Sequence, residues 1–137
     1  MKLSRTVDYA LRATMLLAEE ETLQPIPCSQ LAKQGEMPER FLLQILRSLV
    51  THGILRSTRG VDGGYTMVRS PSDVSLLEII EAIEGPVGVP DEQDAPSSKV
   101  NAAHGRLHHA LHEVAESMRR QLSTIKIAHL LAKPNNN

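Results

Sequence analysis

Residues 38–64 read PERFLLQILRSLVTHGILRSTRGVDGG, and a change of period inside them decides the fold. Phe41, Leu42, Ile45, Leu46, Leu49 and Val50 recur at spacings of three and four, the mark of one helical face. Glu39, Arg40, Leu43, Gln44, Arg47, Ser48 and Thr51 fall largely on the other face. Proline is tolerated in the first turn of a helix and glycine ends one, so Pro38 and Gly53 bracket a predicted helix over 38–52. Beyond Gly53 the helical period stops. Thr-, Val- and Tyr-containing runs at 54–58 and 65–69 flank the glycine-rich tip 59–64, and together they predict a two-stranded hairpin.

Upstream, residues 4–20 carry Val7, Leu11, Thr14, Met15 and Ala18 at helical spacing, widened by Ala10 and Leu17, with Ser4 or Thr6 as cap and Asp8 in the first turn. After the Gln24-Pro25-Ile26-Pro27 interruption a short helix fits 28–34, with Leu31 and Ala32 inward and Gly35 as its stop. Downstream, Ser75-Leu76-Leu77-Glu78 has the form of a capping box opening a helix to Glu84, which Gly85-Pro86 ends. Prolines and acids without hydrophobic periodicity make 86–104 a flexible loop. A long helix is predicted over 105–132, and 133–137 form a disordered tail. The fold class is therefore mainly α. It is a winged helix-turn-helix over 1–85, with a two-stranded β wing and a long C-terminal dimerisation helix.

Composition narrows the function. The 137 residues include 15 Lys/Arg against 16 Asp/Glu, one cysteine, two tyrosines, one phenylalanine and no tryptophan. The core must be aliphatic, and a platform stacking single-stranded bases on aromatic rings is excluded. One cysteine excludes an intrachain disulfide and a multi-cysteine zinc site. No apolar run reaches the length of a membrane span and no secretory signal pattern opens the chain, so a soluble cytoplasmic protein with no membrane partner is expected. Charge is distributed unevenly: residues 1–70 carry nine Lys/Arg and seven Asp/Glu, whereas 71–137 carry six and nine. A basic surface in the first half suits a polyanion.

Two short helices joined by a tight connection suggest a helix-turn-helix, whose second helix enters the DNA major groove. Arg pairs bidentately with guanine and Gln with adenine, so Arg40, Gln44 and Arg47 are candidates for base reading, with Leu43 and Ser48 on the same face. Such a polar face also fits mere solvation. The following ribbon would be a wing, with Arg56, Arg59, Arg69 and nearby Lys33 neutralising phosphates and Gly63-Gly64 allowing close approach. Residues 60–64 lack a P-loop lysine and lead into a strand, which excludes a nucleotide cradle. No nucleophile–base pair, paired carboxylates or cofactor fingerprint marks an enzyme. A winged helix that docks protein rather than DNA is the alternative.

Residues 3–17 (LSRTVDYALRATMLL), 38–46 (PERFLLQIL), 53–64 (GILRSTRGVDGG) and 75–85 resemble the Rrf-two family of bacterial transcription regulators, the IscR and NsrR type. The resemblance implies a homodimer on double-stranded DNA, bound at a partly palindromic operator, with the long helix crossing its partner. It places Arg40, Leu43, Gln44 and Arg47 on the recognition helix and Arg59, with the Gly63-Gly64 turn, on a wing that reaches the minor groove. Leu43 departs from the acid that cluster-binding relatives often carry there.

Many such relatives hold an iron–sulfur cluster through three cysteines before the long helix. Residues 86–137 contain none, so no cluster or other cofactor is expected, and no effector is identified. Cys28 lies near a predicted helix N-terminus, where a thiolate is favoured, although a small core residue is the simpler reading. His108 and His112 share a helix face and are candidate ligands for a metal-responsive or pH-responsive regulator, or polar flanks of a seam; His109 could pair with Glu113. Leu107, Leu111, Val114, Met118, Leu122 and Ile125 form an apolar stripe that predicts pairing with a second copy, the alternative being packing on its own domain.

Overall fold

A computed structural model describes residues 3–20, 24–88 and 102–131. Helix α1 spans Arg5–Glu19, α2 Cys28–Gly35 and α3 Glu39–Thr51. Strands β1 (Leu55–Thr58) and β2 (Gly64–Met67) follow, then α4 (Leu76–Glu84), α5 (Ala102–Thr124) and the short α6 (Ile127–Leu130). The sequence motifs act as local stops and starts. Ser4 caps α1, its hydroxyl accepting from the Val7 amide at 3.2 Å. Ser75 caps α4 in the same way, from the Glu78 amide. The reciprocal half of the expected capping box is not made, because the Glu78 carboxylate turns to Arg69 instead.

Gly35 is inside α2 rather than beyond it. The left-handed residue that ends the helix is Glu36 (φ 53°), and the Met37 amide closes back on the Ala32 carbonyl at 2.8 Å, a Schellman-type end. Gly35 serves packing: a Cβ there would lie 2.5 Å from Met37 Cε and 3.3 Å from both Arg12 Cδ and Leu16 Cδ1. Its carbonyl accepts from Arg12 at 2.7 Å. The backbone of α2 thereby closes directly onto α1.

One aliphatic core gathers Ala10, Ala13 and Leu17 of α1, Leu31 and Ala32 of α2, Leu42, Ile45, Leu46 and Leu49 of α3, and Ile79 and Ala82 of α4. The polar Thr14 is buried among them, its hydroxyl donating to the Ala10 carbonyl at 2.8 Å. Phe41, expected on the inward face, is 62% exposed. It stands one helical step outside the Leu42–Ile45–Leu49 stripe, on the shoulder facing the start of α1.

β1 and β2 pair antiparallel with Leu55 opposite Met67, Arg56 opposite Thr66, Ser57 opposite Tyr65 and Thr58 opposite Gly64. The second strand begins one residue earlier than expected and ends at Met67. A third pass of chain joins it: Ile26 and Tyr65 exchange both backbone hydrogen bonds, at 3.0 and 2.9 Å. The proline-flanked interruption thus anchors the wing to the helices.

The C-terminal part differs from one continuous helix over 105–132. α5 begins at Ala102, with Gly105 inside it, and ends at Thr124. Ile125 then leaves the helix. Its carbonyl accepts from the Leu76 amide at 2.9 Å, Ile127 donates to Val74 at 2.9 Å, and the Ile127 side chain is fully buried in the core. Of the loop expected at 86–104, residues 89–101 lie outside the described residues, as does the tail expected at 133–137.

Candidate nucleic-acid interface

The buried side of α3 (Leu42, Ile45, Leu46, Leu49) fixes which side faces out. Arg40, Leu43, Gln44 and Arg47 are exposed, and Ser48 is half-buried at the edge. Arg56 on β1 and Arg59 at the wing tip are also exposed. The two groups adjoin, because α3 packs against β1, the strand that carries Arg56. Burial first, then the Cys28 thiol, push the pKa of the Tyr65 phenol up, against a downward pull from Arg47. The α3 face and the root of the wing therefore form one surface. Lys33 is exposed on α2.

Ion pairing sorts the arginines. Among the described residues, no hydrogen bond or ion pair engages the side chains of Arg40, Arg47, Arg56 or Arg59. Arg12 is tied to Asp8 at 2.6 Å and to the Gly35 carbonyl, and Arg119 to Glu81 at 2.6 Å. Arg69, expected to meet phosphates, instead forms an ion pair with Glu78 and donates to the Asp73 carbonyl at 2.6 Å. Its partners hold the entry to α4. Arg69→Ala is expected to lower stability by about 1 kcal/mol, the scale of a half-exposed ion pair with one added hydrogen bond. Thermal denaturation checks this, and the salt dependence of DNA binding should remain unchanged.

Gly63 has no room for a side chain inside the hairpin, and Gly64 has none against the 26–27 segment. A Cβ on Gly63 would meet the Thr58 carbonyl oxygen at 2.2 Å, and one on Gly64 the Ile26 carbonyl at 2.4 Å. Gly60, with φ 117° and open surroundings, shapes the tip, where Val61 is fully exposed. Sequence reasoning missed a groove of about 560 Å³ between α1 and α3, bordered by Arg5, Thr6, Tyr9, Phe41, Ser48 and Ile83. The exposed Phe41 is its sign, and hydrophobic periodicity assigns such a residue to the core.

On α5 the expected stripe divides. Leu107, Leu111 and Val114 are 56%, 47% and 59% exposed, and from Ala102 to Val114 only His108 is even half-buried. Ala115 is buried, and Met118 and Leu122 are half-buried. There Arg119 joins Glu81 and the Val87 carbonyl, binding α5 to α4. Ile125 is outside the helix and half-buried. His109 Nε2 is 3.1 Å from Glu113 Oε1, the expected pairing, and His112 is exposed. Cys28 opens α2, half-buried, with its Sγ donating to the Glu39 carbonyl at 3.8 Å. Burial, then the negative charge of Glu39, pushes its pKa up, so the helix terminus does not favour a thiolate here.

A helix pair, a wing closing onto it and a long appended helix define a winged helix-turn-helix regulator. A family profile described as "Rrf2: Iron-dependent Transcriptional regulator" matches residues 3–133. The chain belongs to the Rrf2 family of transcription regulators, a family of regulators and not of enzymes. It is 35% identical over 88 residues to an rrf2-like HTH-type regulator of Rhodobacter capsulatus, covering 62% of this chain and 59% of that one. It is 26% identical to the regulator CymR of Bacillus subtilis, over 85% of each chain. The match to the Rhodobacter protein thus spans little more than half of that protein's length.

Among solved structures, CymR, described as the global cysteine regulator of B. subtilis, superposes with a TM-score of 0.72 at 23% identity over 95% of each chain. A transcriptional regulator of Listeria innocua superposes at 0.74 with 26% identity, over 95% of this chain and 85% of that one.

The family's description names iron. The one cysteine is the thiol on α2, and among the described residues no three His, Cys, Asp or Glu side chains gather as a metal site. Nor do the described residues include a helix long and apolar enough to cross a membrane.

Proposed function

We propose that the chain binds double-stranded DNA as a homodimer at a partly palindromic operator, with α3 in the major groove and the wing on the minor groove and backbone. The observation that carries this is that Arg40 and Arg47 of α3, and Arg56 and Arg59 of the adjoining wing, stand exposed with no ion pair among the described residues. Basic side chains that no carboxylate neutralises are what release of counterions from a duplex requires. Arg40, Gln44 and Arg47 read base edges, and Leu43 lies against a thymine methyl group. Arg56 and Arg59 hold phosphates. No cofactor takes part, and α5 supplies the dimer contact through Leu107, Leu111 and Val114.

Selection of duplexes from a random pool by the purified chain is expected to recover a two-part motif with half-sites about 34 Å apart. On that duplex, Arg59→Ala should weaken binding and lower the slope of log affinity against log salt by about one. An unchanged slope removes the wing from the interface, and failure to enrich any motif overturns sequence-specific binding.

A further inference from the structure

We propose that the groove between α1 and α3 is a second DNA contact: a seat for the sugar–phosphate backbone of the strand flanking the recognition helix, with Arg5, Thr6 and Ser48 as its phosphate ligands. The inference rests on the DNA-binding reading and adds a site to it. Three observations support it. The described residues that line the groove include the Arg5 cation and the hydroxyls of Thr6, Tyr9 and Ser48, and no carboxylate. A polyanion meets a cation and hydroxyl donors there, with no carboxylate among the described lining residues. The floor and shoulder are apolar, with Ile45, Ile83 and the exposed ring of Phe41, which suits the faces of deoxyribose between phosphates.

The groove is also continuous with the proposed interface, because Gln44 and Ser48 belong both to its lining and to the outward side of α3. A duplex seated on α3 passes its backbone over Arg5. The acid nearest in sequence on α1, Asp8, is already neutralised by Arg12 at 2.6 Å. Arg12 also sits 5.4 Å from the centre of the Tyr9 ring, holding the side chain that forms the groove wall. Arg5 has no ion pair among the described residues.

The test uses the full chain and two duplexes of about 30 base pairs, one recovered from the random pool and one of unrelated sequence. Arg5→Gln is expected to weaken both by roughly tenfold and to lower the salt slope by about one, since a phosphate contact carries no sequence information. Phosphate ethylation should cease to interfere at one backbone position outside the α3 footprint. Thr6→Val should reproduce part of the loss and Thr6→Ser restore it. An Arg5→Gln protein with unchanged slope and interference pattern overturns the site. So does a Phe41→Ala protein whose sedimentation shows a changed oligomeric state without DNA, because a second copy would then fill the groove. If the unaltered chain binds neither duplex at low salt, the DNA-binding reading itself fails. If Arg59→Ala behaves as expected and Arg5→Gln is silent, only the groove assignment fails.

Discussion

If α5 forms the proposed dimer contact, Leu111→Asp is expected to give a folded monomer that has lost a hundredfold or more of its affinity for the selected duplex, on the order of the avidity that two linked heads provide. In the single chain Leu111 is 47% exposed, between Leu107 and Val114, which are still more exposed. It contributes little to the protomer's own stability, so the variant should keep its helical circular dichroism and unfolding midpoint. Across a two-fold seam the three side chains of each copy would be buried together. At roughly 1.5–3 kcal/mol per large aliphatic side chain, six of them supply on the order of 10 kcal/mol before the costs of association. A carboxylate at position 111 in both copies removes two of these and places like charges where the dielectric is low. Sedimentation velocity and affinity for the selected duplex should change together, with binding to a single half-site persisting at the weaker level. A Leu111→Asp protein that still sediments as a dimer would move the interface away from the exposed half of α5.

How far the sequence specified this molecule depends on the range of the interactions involved. Ser4 and Ser75 cap helices through amides three residues away, so their roles were legible in short motifs. The aliphatic stripe of α3 was legible for the same reason, and it correctly turned Arg40, Gln44 and Arg47 outward. Misreadings arose where a distant segment decides. Gly35 resembles a helix stop, yet it lies inside α2, where a Cβ would crowd Met37 Cε and the Arg12 and Leu16 side chains of α1. Arg69 and Arg59 are alike as basic residues of a ribbon, and only the packing of α4 brings Glu78 to one of them. Ile125 continues the α5 stripe in sequence, but the hydrogen bond from Leu76 and the burial of Ile127 draw the chain out of the helix there. Phe41 is apolar and in phase with the core, and only the position of α1 leaves it on a groove wall.

The same dependence on a distant segment predicts a large effect at the wing. Gly64→Ala is expected to cost about 3 kcal/mol or more, whereas Gly53→Ala should cost about 1 kcal/mol. Both residues have positive φ, at 153° and 75°, but their surroundings differ. A Cβ at Gly53 meets nothing within 4 Å, so only the backbone preference is lost. A Cβ at Gly64 lies 2.4 Å from the carbonyl carbon and oxygen of Ile26 and 2.6 Å from the Pro27 nitrogen. These are backbone atoms, and no side-chain rotation relieves the overlap. The chain at 26–27 cannot withdraw cheaply, because Ile26 exchanges two hydrogen bonds with Tyr65 and its side chain is 5% exposed in the core. Relief therefore requires breaking that bridge, with both hydrogen bonds and part of the Ile26 burial lost. Urea unfolding of the two variants should separate them by about 2 kcal/mol, and hydrogen exchange at the Ile26 and Tyr65 amides should accelerate in Gly64→Ala alone. Because the bridge ties β2 to the segment that leads into α2, the folded fraction of Gly64→Ala should bind DNA with the lowered salt slope of a chain whose wing no longer reaches the backbone. Equal costs at positions 53 and 64 would mean that the wing is not held by the 24–27 segment, and that Arg56 and Arg59 take their positions from the hairpin alone.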